Sequence, residues 1–228
     1  MICFPKESLD FLARIRRNNT KEWFEAHRDE YEKLILEPSR AIAVEMGEHL
    51  QALVPTINAV PKINGSLFRI YRDIRFSKDK TPIKSRIGMI FWQGRGKRMQ
   101  SSCFYLHFSP DDLFFAVGIR GFSKETLAAY RSYIKDDKHR AELYEILEEM
   151  KAKGYEIPEA KYKRLPREFD KSMTYPELAL YDSMYAYKVV APQRIHNEDF
   201  IDEAYQIYEG LLPLQQWVYE MTLAVAID

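Results

Sequence analysis

The sequence predicts an α+β fold, with a central, mainly antiparallel sheet of about four to six strands packed by helices from both ends of the chain. Two observations predict it. Residues 1–54 and the stretch after Gly121 carry apolar side chains at helical spacing, whereas residues 67–120 alternate with a period of two. Strands grouped between helical blocks are typical of α+β folds. Because no repeat or linker divides the 228 residues, we expect a single domain over 1–228.

The N-terminal block predicts three helices. Asn19 followed by Glu22 is typical of an N-cap with its N3 acid, so the second helix is expected to begin there. Pro38 predicts the end of that helix, and Ser39 predicts the cap of a third, which Pro55 ends.

The centre of the chain predicts strands rich in β-branched and aromatic residues, over 67–76, 87–92, 102–109 and 113–120, with a further strand over 185–190. The link from Ser109 to Asp112 is the clearest hairpin turn, because Pro and Asp favour turn geometry.

Two pairs of helices follow the central strands. Ser123 predicts a cap for the first helix, and the second is expected over about 140–153, ending at Gly154. The C-terminal pair is acidic and is expected to break at Pro213, with Val225 on its last apolar stripe.

The neutral charge of the chain hides a strong segregation. Lys and Arg number 34 and so do Asp and Glu, yet residues 69–98 hold ten basic and two acidic residues, a net charge of +8. The last 34 residues hold seven acids and neither Lys nor Arg. Zero net charge disfavours a general polyanion binder, so nucleic acid is an unexpected partner. A local basic cluster still favours an anionic ligand.

Several other classes of site are disfavoured by the sequence. No apolar stretch approaches the ~20 residues that span a bilayer, and the N-terminus resembles no signal peptide, so we expect a cytoplasmic protein without a membrane partner. Cys3 and Cys103 match no redox or metal spacing, and the five histidines form no metal motif. Nucleotide-loop and hydrolase motifs are missing too, so no metal and no cofactor is predicted.

The segment Arg69–Lys84 is the strongest candidate site. If it is a strand, one face carries Arg69, Tyr71, Asp73 and Arg75, and the other, core-facing side carries Ile70, Arg72, Ile74 and Phe76. The planar guanidinium of arginine suits bidentate binding of phosphate or carboxylate. We therefore predict that a small anion binds the residues Arg69, Arg72, Asp73, Arg75, Asp79, Lys80 and Lys84.

Acid–base chemistry has two weak candidates, Asp73 and His107. Asp73 would orient the guanidiniums, and His107 alternates with apolar residues so that it could face the same side of the sheet. Asn18, Asn19, Trp23 and His27 are interpreted first as a turn, a cap and a core stripe, although Asn19, Trp23 and His27 could also share a cleft; their roles stay open.

The segment also resembles a known family, whose signature reads Arg-x-x-Arg-Asp-x-Arg-Phe-x-x-Asp-Lys-x-x-Tyr. Seven positions match in register: Arg69, Arg72, Asp73, Arg75, Phe76, Asp79 and Lys80. Ile83 stands where the signature has Tyr, so a role for that hydroxyl is in doubt. With the blocks 18–24 and 165–167, the chain is identified as resembling domain of unknown function 2461, a bacterial and fungal family of conserved hypothetical proteins. The resemblance implies an intracellular α+β protein with no established activity, substrate or cofactor.

The expected function is the binding of a small anionic or phosphorylated ligand through Arg69–Lys84, and whether the protein is an enzyme stays open. The alternative is a non-catalytic interaction module whose Arg and Asp residues form a structural ion-pair network. A homo-oligomer also stays open, because the basic segment of one copy would suit the acidic C-terminal helices of another.

Overall fold

A computed structural model describes residues 2–224 and confirms the α+β class. Five antiparallel strands form one sheet in the order of the chain, so each strand pairs with its neighbour in sequence. They are β1 (Ile57–Asn58), β2 (Ile87–Gln93), β3 (Cys103–Phe108), β4 (Leu113–Ile119) and β5 (Met184–Val190). The last four lie within one or two residues of the predicted strands.

The helices lie before and after the central strands. They are α1 (Ser8–Arg17), α2 (Lys21–Ala26), α3 (Arg28–Tyr31), α4 (Glu37–Leu53), α5 (Lys124–Tyr133), α6 (Asp137–Ala152) and α7 (Phe200–Ala224). Ser123 caps α5 as predicted, since its hydroxyl accepts a hydrogen bond from the backbone N–H of Thr126. None of the helices within residues 2–224 is long and apolar enough to cross a membrane.

The described residues form two compact units. The first contains residues 2–91, 105–115 and 189–206, and the second contains 92–104, 116–188 and 207–224. The first unit has an aromatic core in which Phe4 packs on Phe108 with ring centroids 4.3 Å apart. Burying such rings removes about 150–250 Å² each from water, which makes them the main source of stability in this unit.

The second unit contains a fully buried arginine. Arg140 is 0% exposed, and its guanidinium donates to the carbonyls of Ile134 and Thr174 and to the carboxylate of Asp137. The sequence placed Arg140 only at the start of a helix. A buried guanidinium needs such partners, so Arg140 ties the end of α5 and the segment around Thr174 to α6.

Residues 67–76 do not form the predicted regular strand. Their pairings are isolated bridges, between Leu67 and both Ile63 and Met89, and between Tyr71 and Ile83. Side chains here bond nearby backbone groups, as when the ammonium of Lys80 donates to the carbonyl of Ile74 at 2.9 Å. Such local bonds compete with a strand ladder.

Three predictions about helix ends in the N-terminal block were wrong, and one of them concerns Ser39, which lies inside α4 and does not cap it. Thr20, not Asn19, caps α2, because its hydroxyl accepts from the backbone N–H of Trp23 at 3.1 Å. Pro38 does not end a helix but lies in the first turn of α4, directly after a π-helical turn. The carbonyl of Leu34, which a proline at this position cannot bond, accepts instead from the hydroxyl of Ser8 at 2.8 Å.

Pro213 also lies inside one helix, α7, and does not divide two. An interior proline costs ~3 kcal/mol, whereas burying an aliphatic side chain contributes ~1.5–3 kcal/mol. Leu211, Leu214 and Trp217 are all buried around it, which offsets the loss. The predicted stripe position Val225 lies outside the described residues.

Candidate functional site

The candidate site is a loop in the first unit, closed by two backbone hydrogen bonds. The N–H of Arg72 donates to the carbonyl of Pro82 at 2.8 Å, and the N–H of Lys84 donates to the carbonyl of Ile70 at 2.9 Å. We call residues 72–82 the basic loop. Its backbone forms no helix or strand, and the hydrogen bonds within it are made mainly by its side chains.

Asp73 holds the side chain of Arg75 in a two-point contact. The Nε and Nη2 atoms of Arg75 donate to the two carboxylate oxygens at 2.9 and 2.7 Å, and the backbone N–H of Arg75 donates to the same carboxylate. The guanidinium and then this N–H hold the pKa of Asp73 well below its usual range. The side chain of Arg75 nevertheless stays 74% exposed, so it is oriented and accessible at once.

A second carboxylate closes the other side of the basic loop. Asp79 accepts from the N–H and the hydroxyl of Thr81 at 2.9 and 2.8 Å, and it pairs with Arg72, which also donates to that hydroxyl. The bonds from Thr81, followed by the guanidinium, lower the pKa of Asp79 to about 2. Arg72 thus meets a carboxylate, as a partly buried guanidinium requires.

The remaining cations of the segment differ in what they contact. The ammonium groups of Lys80 and Lys84 donate to the carbonyls of Ile74 and Arg69. The side chains of Arg69 and Lys78 are exposed, and neither forms an ion pair within residues 2–224. Six cations against two carboxylates leave the segment 69–84 with a net charge of +4.

Asn19 anchors the base of the basic loop. Its amide nitrogen donates to the carbonyl of Ile83 at 2.8 Å, and its amide oxygen accepts from the N–H of Ile83 at 2.9 Å. The side chain of Asn19 therefore bonds the backbone of Ile83 as a neighbouring strand would, although the two residues are 64 positions apart in the sequence. The neighbouring Asn18 only bonds the carbonyl of Arg14 at the end of α1.

A second anchor joins α2 and α3 to Tyr71, the residue directly before the basic loop. Tyr71 donates its hydroxyl to Glu25 at 2.6 Å and accepts from Arg28 at 3.1 Å, while Arg28 and Glu25 form a two-point ion pair. Arg28, followed by Tyr71, lowers the pKa of Glu25 to about 2. Hydrogen bonding to that carboxylate raises the pKa of Tyr71.

The family model described as "Conserved hypothetical protein (DUF2461)" matches residues 7–217, a range that contains the basic loop and both anchors. The chain belongs to the DUF2461 family. A search of curated proteins found no match, and a search of solved structures found none. In this DUF2461 chain, Ile83 occupies the Tyr position of the signature as a buried side chain, 1% exposed.

Two other candidate residues of the DUF2461 chain, His27 and His107, each stack on an aromatic ring. His27 stacks on Trp23 with ring centroids 4.0 Å apart and bonds the Trp23 carbonyl. His107 is buried, stacks on Phe114 and contacts Asp112 at 3.3 Å. These contacts are those of a packed histidine.

Sequence reasoning missed Glu25 and Arg28. An acid and a base three residues apart on a helix are an ordinary surface pair, and nothing local connects them to Tyr71, 43 or more residues away. It also placed Phe76 in the core, whereas Phe76 is 94% exposed.

The second unit of the DUF2461 chain has a separate cavity of about 450 Å³. Its lining includes the acids Glu125 and Asp136 and the stacked rings of Tyr133 and His139. Acidic side chains disfavour an anion, so this cavity is not an alternative site for the predicted ligand.

Proposed function

We propose that the basic loop of this DUF2461 protein binds a small anionic or phosphorylated ligand. The observation that carries the proposal is Arg75, whose guanidinium is held by Asp73 on one edge and is 74% exposed. Within residues 2–224 its Nη1 atom has no hydrogen-bond partner, so its donors are available for an oxyanion.

The charge of the surroundings supports an anion. Arg69 and Lys78 add exposed positive charge beside Arg75, and the segment keeps an excess of four cations after its own aspartates are counted. A purely structural network would account for Arg72 and Asp79, which are largely occupied with each other and with Thr81. It gives no reason for the exposed cations, which repel one another without a counter-charge.

Preorganisation favours affinity at such a site. A free arginine side chain loses ~0.5–1.5 kcal/mol of conformational freedom when a ligand fixes it. Because Asp73 already fixes Arg75 through two bonds, part of that cost is met on folding. The low pKa of Asp73 makes it a poor proton donor at neutral pH, so its role here is to position Arg75.

Titration with inorganic tripolyphosphate, followed by calorimetry and thermal unfolding, tests the proposal. At about a hundred times its Kd, a ligand stabilises the folded protein by ~2.7 kcal/mol. The variant R75Q should weaken binding at least about tenfold, since a charge-assisted hydrogen bond contributes ~1.5–3 kcal/mol.

R17Q is the matched control. Arg17 is an exposed arginine of the same unit, 65% exposed, and its one ion pair among the described residues is a long contact to Asp10 at 3.8 Å. R17Q should bind tripolyphosphate like the wild type. If the wild type shows no saturable binding, or if R17Q and R75Q lose the same affinity, the basic loop is not the anion site.

A further inference from the structure

Phe76 is the most exposed large apolar side chain within residues 2–224. It is 94% exposed, whereas the next values are 49% for Met99 and 47% for Val44. An almost fully exposed phenylalanine forfeits most of the stabilisation that burying its ring would contribute. The position therefore calls for a reason other than the stability of the fold.

Phe76 lies among the cations of the proposed anion site. The guanidinium carbon of Arg75 lies 5.7 Å from the centroid of its ring, and Lys78 and Lys80 follow in the same loop. Flat aromatic ligands stack on such rings, and the adjacent cations suit phosphate oxygens.

We propose that the ligand of the basic loop is a nucleotide, whose base stacks on Phe76 while its phosphates contact Arg75 and the neighbouring lysines. This inference rests on the proposed function and adds the class of ligand to it. The shared chemistry is an aromatic base joined to a phosphate, supplied either by a free nucleotide or by a short single strand.

The surroundings of Phe76 favour this occupant over a membrane surface. Loops that enter a bilayer usually present several apolar side chains, whereas the residues from Arg75 to Lys80 are charged or polar apart from Phe76 itself. One ring is enough for one base, because every base has a flat face that stacks on an aromatic side chain.

The test compares adenosine triphosphate with inorganic tripolyphosphate, which carries the same phosphates without a base. The wild type should bind adenosine triphosphate at least about fivefold more tightly. F76A should remove that preference while leaving the Kd for tripolyphosphate unchanged, and F76W should retain it with quenched tryptophan fluorescence on binding. V44A, at an exposed apolar position of the same unit, is the control and should leave both affinities unchanged.

The outcomes separate the two proposals. Equal affinity for the two ligands, or an F76A variant that keeps the preference, overturns the nucleotide assignment while the anion site stands. Failure of both ligands to bind overturns the proposed function as well.

Two further arms identify the source of the base. If an oligothymidine of eight nucleotides binds more tightly than adenosine triphosphate in a Phe76-dependent manner, the nucleotide belongs to a single strand. If the oligothymidine binds more weakly than adenosine triphosphate, the ligand is a free nucleotide. Phe76-dependent binding to phosphatidylserine vesicles, without binding of either nucleotide, assigns the loop to a membrane surface and overturns the inference.

Discussion

Replacing Asn19 with alanine should loosen the base of the basic loop. The side chain of Asn19 forms two hydrogen bonds with the backbone of Ile83. It donates to the carbonyl at 2.8 Å and accepts from the N–H at 2.9 Å. Alanine removes both bonds and leaves a partly buried N–H and carbonyl without their protein partner. The neighbouring N18A variant is a matched control, because the side chain of Asn18 is exposed and donates to the carbonyl of Arg14 within its own helix end.

The expected loss follows from the two bonds. Each contributes ~0.5–1.5 kcal/mol, and an unsatisfied buried group costs ~1–3 kcal/mol. Water can reach a partly buried pair, so the lower part of that range applies and the total for N19A is about 2–3 kcal/mol. N18A removes one exposed bond and should stay within about 0.5 kcal/mol of the wild type.

Urea unfolding and amide hydrogen exchange measure the effect at two scales. The global free energy of unfolding should fall in N19A alone. The N–H of Ile83, which donates to Asn19, should exchange roughly 30-fold faster if opening is favoured by ~2 kcal/mol. Unchanged exchange at Ile83, or equal losses in N18A and N19A, would refute the assignment of Asn19 as an anchor.

Three other perturbations test separate parts of the structure. R140M should destabilise the fold by about 2–4 kcal/mol, because it leaves buried carbonyls unsatisfied, whereas D137N should cost less than about 1 kcal/mol since Asp137 is 85% exposed; urea unfolding of both variants checks this. S8A should cost about 1–2 kcal/mol in the same measurement, because the carbonyl of Leu34 loses the hydroxyl that donates to it in place of the missing proline N–H. The carboxyl of Glu25 should titrate near pH 2 in a carbon-detected NMR experiment, and a midpoint above 4 would contradict its ion pair. Since its folded pKa lies below the ordinary 4.5, its stabilising contribution is complete above about pH 4.5 and is lost as the pH falls towards 2.

Four of the five strands were predictable, because each is a short run rich in apolar, β-branched and aromatic residues. In β4, from Leu113 to Ile119, the apolar content and the flanking Pro110 and Asp112 determine the limits almost to the residue. Helix limits were less certain, since Pro38 and Pro213 lie inside helices that other contacts maintain. From the sequence alone one can predict that a proline destabilises a helix. One cannot predict the distant Ser8 hydroxyl or the packing around Pro213 that offsets this loss.

The candidate site was predictable only in part. Arg72 was predicted on the core-facing side, where a guanidinium needs a carboxylate, backbone carbonyls or a ligand, and in the structure it pairs with Asp79. The exposure of Phe76 could not be predicted, because strand periodicity places it on the core side and the loop that overrides this periodicity is held by local side-chain bonds. Nor does any local pattern connect Asn19 to Ile83.

The two sequence hypotheses for the arginine cluster, an anion site and an ion-pair network, do not exclude each other. Each aspartate accepts backbone N–H bonds as well as a guanidinium: Asp79 from Thr81, and Asp73 from Arg75 itself. Because each carboxylate is also hydrogen-bonded to the backbone, it cannot move together with its arginine. The conformation of the loop therefore sets the orientation of the guanidinium. The pairing therefore removes conformational freedom while the segment still carries four excess positive charges. If the basic loop binds an anion as we propose, the ion pair with Asp73 would present the guanidinium of Arg75 already oriented, because it occupies only one edge of that donor.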